Sequence, residues 1–131
     1  MRSVSGVAAF ERSGQSVASA GDVNGDGFAD LIVGAWGASP HGSASGASYV
    51  VFGKAAGLAA NIDLSKLNGN NGFRLDGVAA GDFSGHSVAS AGDVNADGFA
   101  DVIVGAPVQD GTVAAEEGRA YLYLGSATGL S

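Results

Sequence analysis

The chain contains no cysteine, which excludes a disulfide framework, a thiolate metal site and a cysteine nucleophile. Only six of its 131 residues are Lys or Arg. So few cations leave no basic patch to reward nucleic acid or an anionic membrane, and neither is expected as a partner. No apolar run approaches a membrane-spanning length, so no membrane insertion is expected, and residues 1–6 do not lead into the apolar stretch of a signal peptide. The sequence therefore reads as cytoplasmic, as a mature product, or as a piece of something larger. Its many serines have no histidine and acid paired with them at a suggestive spacing, so no hydrolase chemistry is indicated and the chain is not read as an enzyme.

What is present in excess is glycine, 23 residues against two prolines, together with 46% hydrophobic residues and a formal net charge of -7. This composition suits one compact unit of short strands and tight turns, not long helices or a disordered segment. The dominant feature is an internal repeat. Gly14-Gln15-Ser16-Val17-Ala18-Ser19-Ala20-Gly21-Asp22 returns as Gly85-His86-Ser87-Val88-Ala89-Ser90-Ala91-Gly92-Asp93, an offset of 71. The match runs on through Leu31-Ile32-Val33-Gly34-Ala35 and Val102-Ile103-Val104-Gly105-Ala106. After a one-residue slip it resumes at Gly46 and Gly118 and ends at Gly57-Leu58 and Gly129-Leu130. The repeat divides the chain into residues 1–71, with an N-terminal strand and a connection to the second copy, and residues 72–131.

Each copy reads as strands bracketed by glycines. Residues 16–20 are small and serine-alternating, 31–33 form a branched apolar run, 49–52 are aromatic and β-branched, and 73–76 add a short fourth strand. Residues 2–5 are the weaker counterpart of that fourth strand. Residues 59–72, rich in asparagine and glycine, read as a connection and not as a domain.

Inside each copy lies the same nine-residue loop, residues 22–30 and 93–101. It places oxygen side chains at positions 1, 3, 5 and 9 and glycine at position 6, the alternation that folds a short loop around a hard cation. Asn-Gly and Asp-Gly also make plain hairpin turns. A turn leaves the outer aspartates unexplained, however, and three carboxylates within nine residues repel one another unless a cation compensates them. Both loops are read as Ca²⁺ sites, two per chain. The first uses Asp22, Asn24, Asp26, the carbonyl of Phe28, and Asp30; the second uses Asp93, Asn95, Asp97, the carbonyl of Phe99, and Asp101. Gly27 and Gly98 would allow the sharp turn. Val33 and Val104 stand where an EF-hand carries its bidentate glutamate, so the site is a strand-loop-strand type. Two ions would raise the net charge from -7 to about -3, since each adds two positive charges.

Together these residues, from Gly-x-Ser-Val-Ala through the acidic loop to Ile-Val-Gly-Ala and a Gly-x-x-Tyr-x-x-x-Gly strand, resemble the FG-GAP repeat of the integrin alpha-subunit β-propeller and its bacterial relatives. The chain departs from the pattern at Gly34-Ala35-Trp36, where the second copy keeps Gly105-Ala106-Pro107. The Phe-Gly element is Phe83-Ser84-Gly85 in the second copy and only Phe10 with Gly14 in the first. The resemblance implies an all-β fold of two four-stranded propeller blades, with calcium holding the loop between the first two strands of each. Residues 16–20, 31–33, 49–52 and 73–76 would complete one blade. The second would lack its fourth strand, leaving residues 2–5 spare.

Two blades do not close a ring. Identical chains are therefore expected to assemble as a trimer or tetramer, giving six or eight blades, with each N-terminal strand completing a neighbour's last blade; an excised fragment of a longer repeat protein is the competing reading. The resemblance further implies a non-enzymatic scaffold for adhesion or for protein or glycan recognition, extracellular or at the cell surface. The alternative is a module of an exported polysaccharide-acting enzyme or lectin. Trp36 either stacks on a sugar or partner or packs over a blade edge. His86 reads as a polar residue at a strand edge, and His41, Asp110, Glu116 and Glu117 as solvated loop residues.

Overall fold

A computed structural model describes residues 3–7, 11–40, 45–54, 61–77, 83–106, 119–127 and 129–130. Phe10, His41, Pro107, Asp110, Glu116 and Glu117 lie outside the described residues. Glycine brackets and β-branched runs give the blade strands where the sequence predicts them, and three further short strands, at residues 61–63, 125–126 and 129–130, where it does not. They are β1 (Ser3–Ser5), β2 (Ser16–Gly21), β3 (Asp30–Ala35), β4 (Ala47–Val51), β5 (Asn61–Asp63), β6 (Gly72–Asp76), β7 (Ser87–Gly92), β8 (Asp101–Ala106), β9 (Arg119–Tyr123), β10 (Gly125–Ser126) and β11 (Gly129–Leu130). A 3₁₀ turn, Leu64–Lys66, is capped by Asp63, whose carboxylate accepts from the Ser65 N–H.

The antiparallel order β2-β3-β4-β6 makes one four-stranded blade, and β7-β8-β9 makes the first three strands of a second. The blade is out of phase with the sequence repeat, because its outermost strand β6 is the segment that precedes the second copy. The row Ala18, Ile32, Val50, Phe73 is in register across all four strands of the first blade. This face packs against Val88, Val102, Val104 and Tyr123 of the second blade, forming the seam between them. The opposite face of the first blade carries Val33, Tyr49 and Val51, and is covered by Val4, Ile62, Leu64 and Leu67. Residues 61–67, read from the sequence as a mere connection, thus supply a lid of apolar side chains.

The N-terminal strand corrects an expectation. It is not spare: β1 pairs in parallel with β5 of its own chain, Val4 opposite Ile62. An apolar Val4 next to the exposed edge of Ile62 is buried better there than in water, which is the physical reason the strand docks at home. A further strand pair, β10 with β11, follows β9, antiparallel with Gly125 opposite Leu130.

At the seam the repeated motifs meet one another. The Phe83-Ser84-Gly85 turn of the second blade lies on Gly34, Ala35 and Gly46 of the first. Ser16 Oγ donates to the Gly85 carbonyl at 2.7 Å, and the Ser84 N–H to the Ser45 carbonyl at 3.1 Å. A Cβ on Gly34 would stand 2.0 Å from the Gly85 carbonyl oxygen, so no side chain fits at that crossing. Trp36, where the motif departs from proline, packs edge-on to Phe83 at 5.1 Å between ring centroids and lies 5.8 Å from His86, with the Arg12 guanidinium 4.9 Å over its ring. Trp36 is therefore a seam residue, as the blade-edge reading held.

Candidate metal centre

Each acidic loop is launched by a bulge. Pairing slips between Ser19 and Gly21, and again between Ser90 and Gly92, where the serine hydroxyl accepts from the glycine N–H two residues on. The extra residue turns the strand end and aims the loop. Gly27 and Gly98 then adopt φ of 89° and 90°, as position 6 requires.

The first carboxylate of each loop organises the turn. Asp22 Oδ1 accepts from the N–H groups of Gly25 and Asp26 at 2.8 and 3.1 Å, and Oδ2 from Gly27 at 2.9 Å. Asp93 repeats this with Asp97 at 3.1 Å and Gly98 at 2.8 Å. The Gly98 N–H, first among several donors, holds the Asp93 carboxyl below the usual range. At position 5, Asp26 and Asp97 accept from the N–H of Phe28 and Phe99 at 2.9 and 3.0 Å, which draws both phenylalanine backbones into the turn.

The last carboxylate does something that spacing alone did not disclose. Asp30 is fully buried and bridges two backbone donors, Val23 N–H to Oδ2 and Gly53 N–H to Oδ1, both at 2.9 Å. Asp101 makes the same clamp with Val94 and Gly125, both at 2.8 Å. One side chain thereby closes the loop and ties it to the segment after the third strand. The only sequence signal was the glycine that follows each third strand, Gly53 and Gly125. A carboxylate offers about four lone-pair sites, so two N–H bonds leave capacity for a cation. Burial pushes the Asp30 carboxyl up; the two N–H donors oppose this, and Asp26 and Asp22 add repulsion.

Position 3 differs between the loops. The Asn24 Oδ1 atom is buried with no hydrogen-bond partner, while Asn95 is exposed. A buried acceptor without a donor is costly unless something outside the protein satisfies it. Among the described residues, no three Asp, Glu, His or Cys side chains converge in a ready-made metal cluster. The donor set is nonetheless all oxygen, and the orphaned Asn24 oxygen lies within it, so the residues fit a hard cation.

The two loops are also neighbours. The Ala100 N–H donates to the Asp22 carbonyl at 3.0 Å, and the Phe99 ring covers Gly25, where an added Cβ would meet it at 2.5 Å. Ala96 occupies the equivalent position of the second loop with φ of 60°. It tolerates a methyl because no further loop lies on it among the described residues. Val23 is correspondingly 0% exposed and Val94 51%.

The FG-GAP repeat family matches residues 13–51 and 84–123. Integrin alpha-6 of Gallus gallus is 35% identical over 115 residues, covering 84% of this chain and 9% of its own length. Integrin alpha-7 of Rattus norvegicus is 40% identical over 110 residues, 83% of this chain and 8% of its own. Phosphatidylinositol-glycan-specific phospholipase D of Bos taurus is 37% identical over 121 residues, 92% of this chain and 14% of its own. The chain thus spans a small part of the length of each of these relatives.

Proposed function

The chain belongs to the FG-GAP repeat family, and from that membership we propose that it is a non-enzymatic, calcium-stabilised pair of propeller blades serving adhesion or extracellular recognition of a protein or glycan. One Ca²⁺ would sit in each loop, on Asp22, Asn24, Asp26, the Phe28 carbonyl and Asp30, and on Asp93, Asn95, Asp97, the Phe99 carbonyl and Asp101. The observation that carries this is the buried Asn24 oxygen without a protein donor, inside a loop whose carboxylates already repel. Calcium supplies the missing positive charge. The chain's own contribution is the frame: bulge, Asx turn and position-nine clamp hold the oxygens in place before an ion arrives.

Cell-surface or extracellular placement is supported by the integrin relatives. No helix among the described residues is long and apolar enough to cross a membrane. The phospholipase D relative favours a second reading, a blade module carried by an exported enzyme or lectin. Turnover of a polysaccharide panel by the chain would support that reading over a plain scaffold.

Calcium that binds only the folded loops stabilises the chain by about 2.7 kcal/mol per site at a hundredfold excess over Kd. Thermal melts in calcium and in chelator are expected to differ accordingly, and the difference should vanish in the Asp26→Ala/Asp97→Ala double variant. Identical midpoints for the unaltered chain would refute the calcium reading.

A further inference from the structure

Only two lysines occur in the whole chain, Lys54 and Lys66, and both line one open cavity of about 510 Å³ beside the first acidic loop. Asn24, Phe52, Ile62 and Asn70 line it with them. The cavity is framed from two sides by backbone contacts. Gly53 N–H is clamped by Asp30 of the loop, and Phe52 N–H donates to the Asn71 carbonyl at 2.9 Å, fixing the asparagine turn across from it. That turn is itself tied, since Asn68 and Asn71 exchange side-chain bonds with each other's backbone at 2.9 and 3.2 Å.

The second repeat shows which of these residues the scaffold needs. Where the first copy has Phe52 and Lys54, the second has Leu124 and Ser126, with the clamped glycine kept between them. The blade therefore folds without a cation at this position, whereas Phe52, besides lining the cavity, packs into the seam core edge-on to Phe73 at 5.6 Å. In a chain of net charge -7, both lysines come to one concavity, which they share with the carboxylates of Asp26 and Asp63. Neither takes part in an ion pair among the described residues. Of the two acids at the wall, Asp63 is held ionised by the Ser65 donors and lies in the field of Lys66, and Asp26 belongs to the metal loop, where a cation would offset its charge.

We propose that this cavity binds a carboxylate-bearing saccharide of the uronate type. Its carboxylate would lie between the Lys54 and Lys66 ammonium groups. Its hydroxyls would meet the Asn24 Nδ2 amine, which donates while Oδ1 stays with the loop, and the Asn70 amide, which both donates and accepts, and its ring would rest on the apolar wall of Phe52 and Ile62. The size suits one or two sugar units, and an amide-lined wall favours hydroxyls over the spaced charges of an acidic peptide. Because Asn24 and Asp26 belong to both loop and cavity, calcium would remove the repulsion of Asp26 and strengthen saccharide binding; this dependence, though not the cavity itself, rests on the calcium reading.

Calorimetric titration of the full chain with a galacturonate trisaccharide tests the proposal, in calcium and in chelator, beside the neutral galactose trisaccharide and a triglutamate peptide. Saturable binding of the uronate is expected, weakened at least about tenfold by Lys54→Gln and by Lys66→Gln, both exposed positions whose exchange leaves the melting midpoint in place. The neutral sugar should bind weaker by a similar factor. Absence of saturable uronate binding in either buffer, binding indifferent to both lysine variants, or preference for the peptide would each overturn it. If lysine-dependent binding persists while calcium leaves the melts unchanged, the cavity assignment stands and the calcium reading alone falls.

Discussion

At the scale of single residues, Tyr49 shows how burial sets chemistry. Its ring is 2% exposed within the covered face of the first blade, and its hydroxyl donates to Glu11 at 3.4 Å. Burial first, and then the nearby Glu11 charge, push its pKa up to about 12 from the ordinary 10.0. A raised folded-state value means that the protonated phenol favours folding; the stabilisation is complete below pH 10 and is lost as pH rises through about 12. The loss amounts to roughly 2–3 kcal/mol for a phenol this deeply buried. Denaturant melts between pH 9 and pH 12 are expected to show this fall in the unaltered chain and a smaller one in Tyr49→Phe. An equal fall in both would show that Tyr49 is not its source.

Among the elements, the position-nine aspartates matter most, because each joins a hairpin loop to the end of the third strand. Replacing Asp101 by Ala leaves the N–H groups of Val94 and Gly125 without their acceptor, at a cost of about 2–4 kcal/mol. Asp101→Asn keeps one carbonyl acceptor and should lose less. Measured in chelator, where no cation can contribute, this ordering isolates the clamp; an Asp101→Ala chain as stable as the unaltered one would eliminate it. The same element logic explains the seam glycines. Gly34 is required by the Gly85 carbonyl lying over it, a contact made only once a second blade is docked.

Over the whole molecule, each blade serves as the control for the other. Ile32 is 0% exposed at the seam, whereas Ile103, its counterpart 71 residues on, is 39% exposed. In the opposite direction Val102 is 0% exposed and its counterpart Leu31 is 36%. The second blade thus leaves Ile103 and Leu122 open, while the opposite face of the first is covered by Val4, Ile62, Leu64 and Leu67 and exposes Leu31 at its rim; a contact between these unlike faces would be heterologous, a kind that closes into rings when the rotation allows. Identical chains are expected to assemble in calcium as a trimer or tetramer, and Ile103→Asp should lower the assembled mass. A monodisperse monomer in light scattering of the unaltered chain would leave flanking repeats of a longer protein as the occupants of these faces.

The sequence by itself determined the strands of the blades, their order within the first blade and the identity of the loop residues. Period, glycine spacing and the alternation of oxygen side chains are local properties, and the repeat doubled each of them. Residues 16–20, 31–33, 49–52 and 73–76 were legible as one blade for that reason. Tertiary structure alone decided what depends on segments far apart in the chain. Spacing could not show that Asp30 and Asp101 reach across to Gly53 and Gly125, that β1 docks on β5, or that Lys54 and Lys66 share a cavity. These partners are set by how blades pack, and packing follows from which apolar faces meet, not from the order of residues within either face.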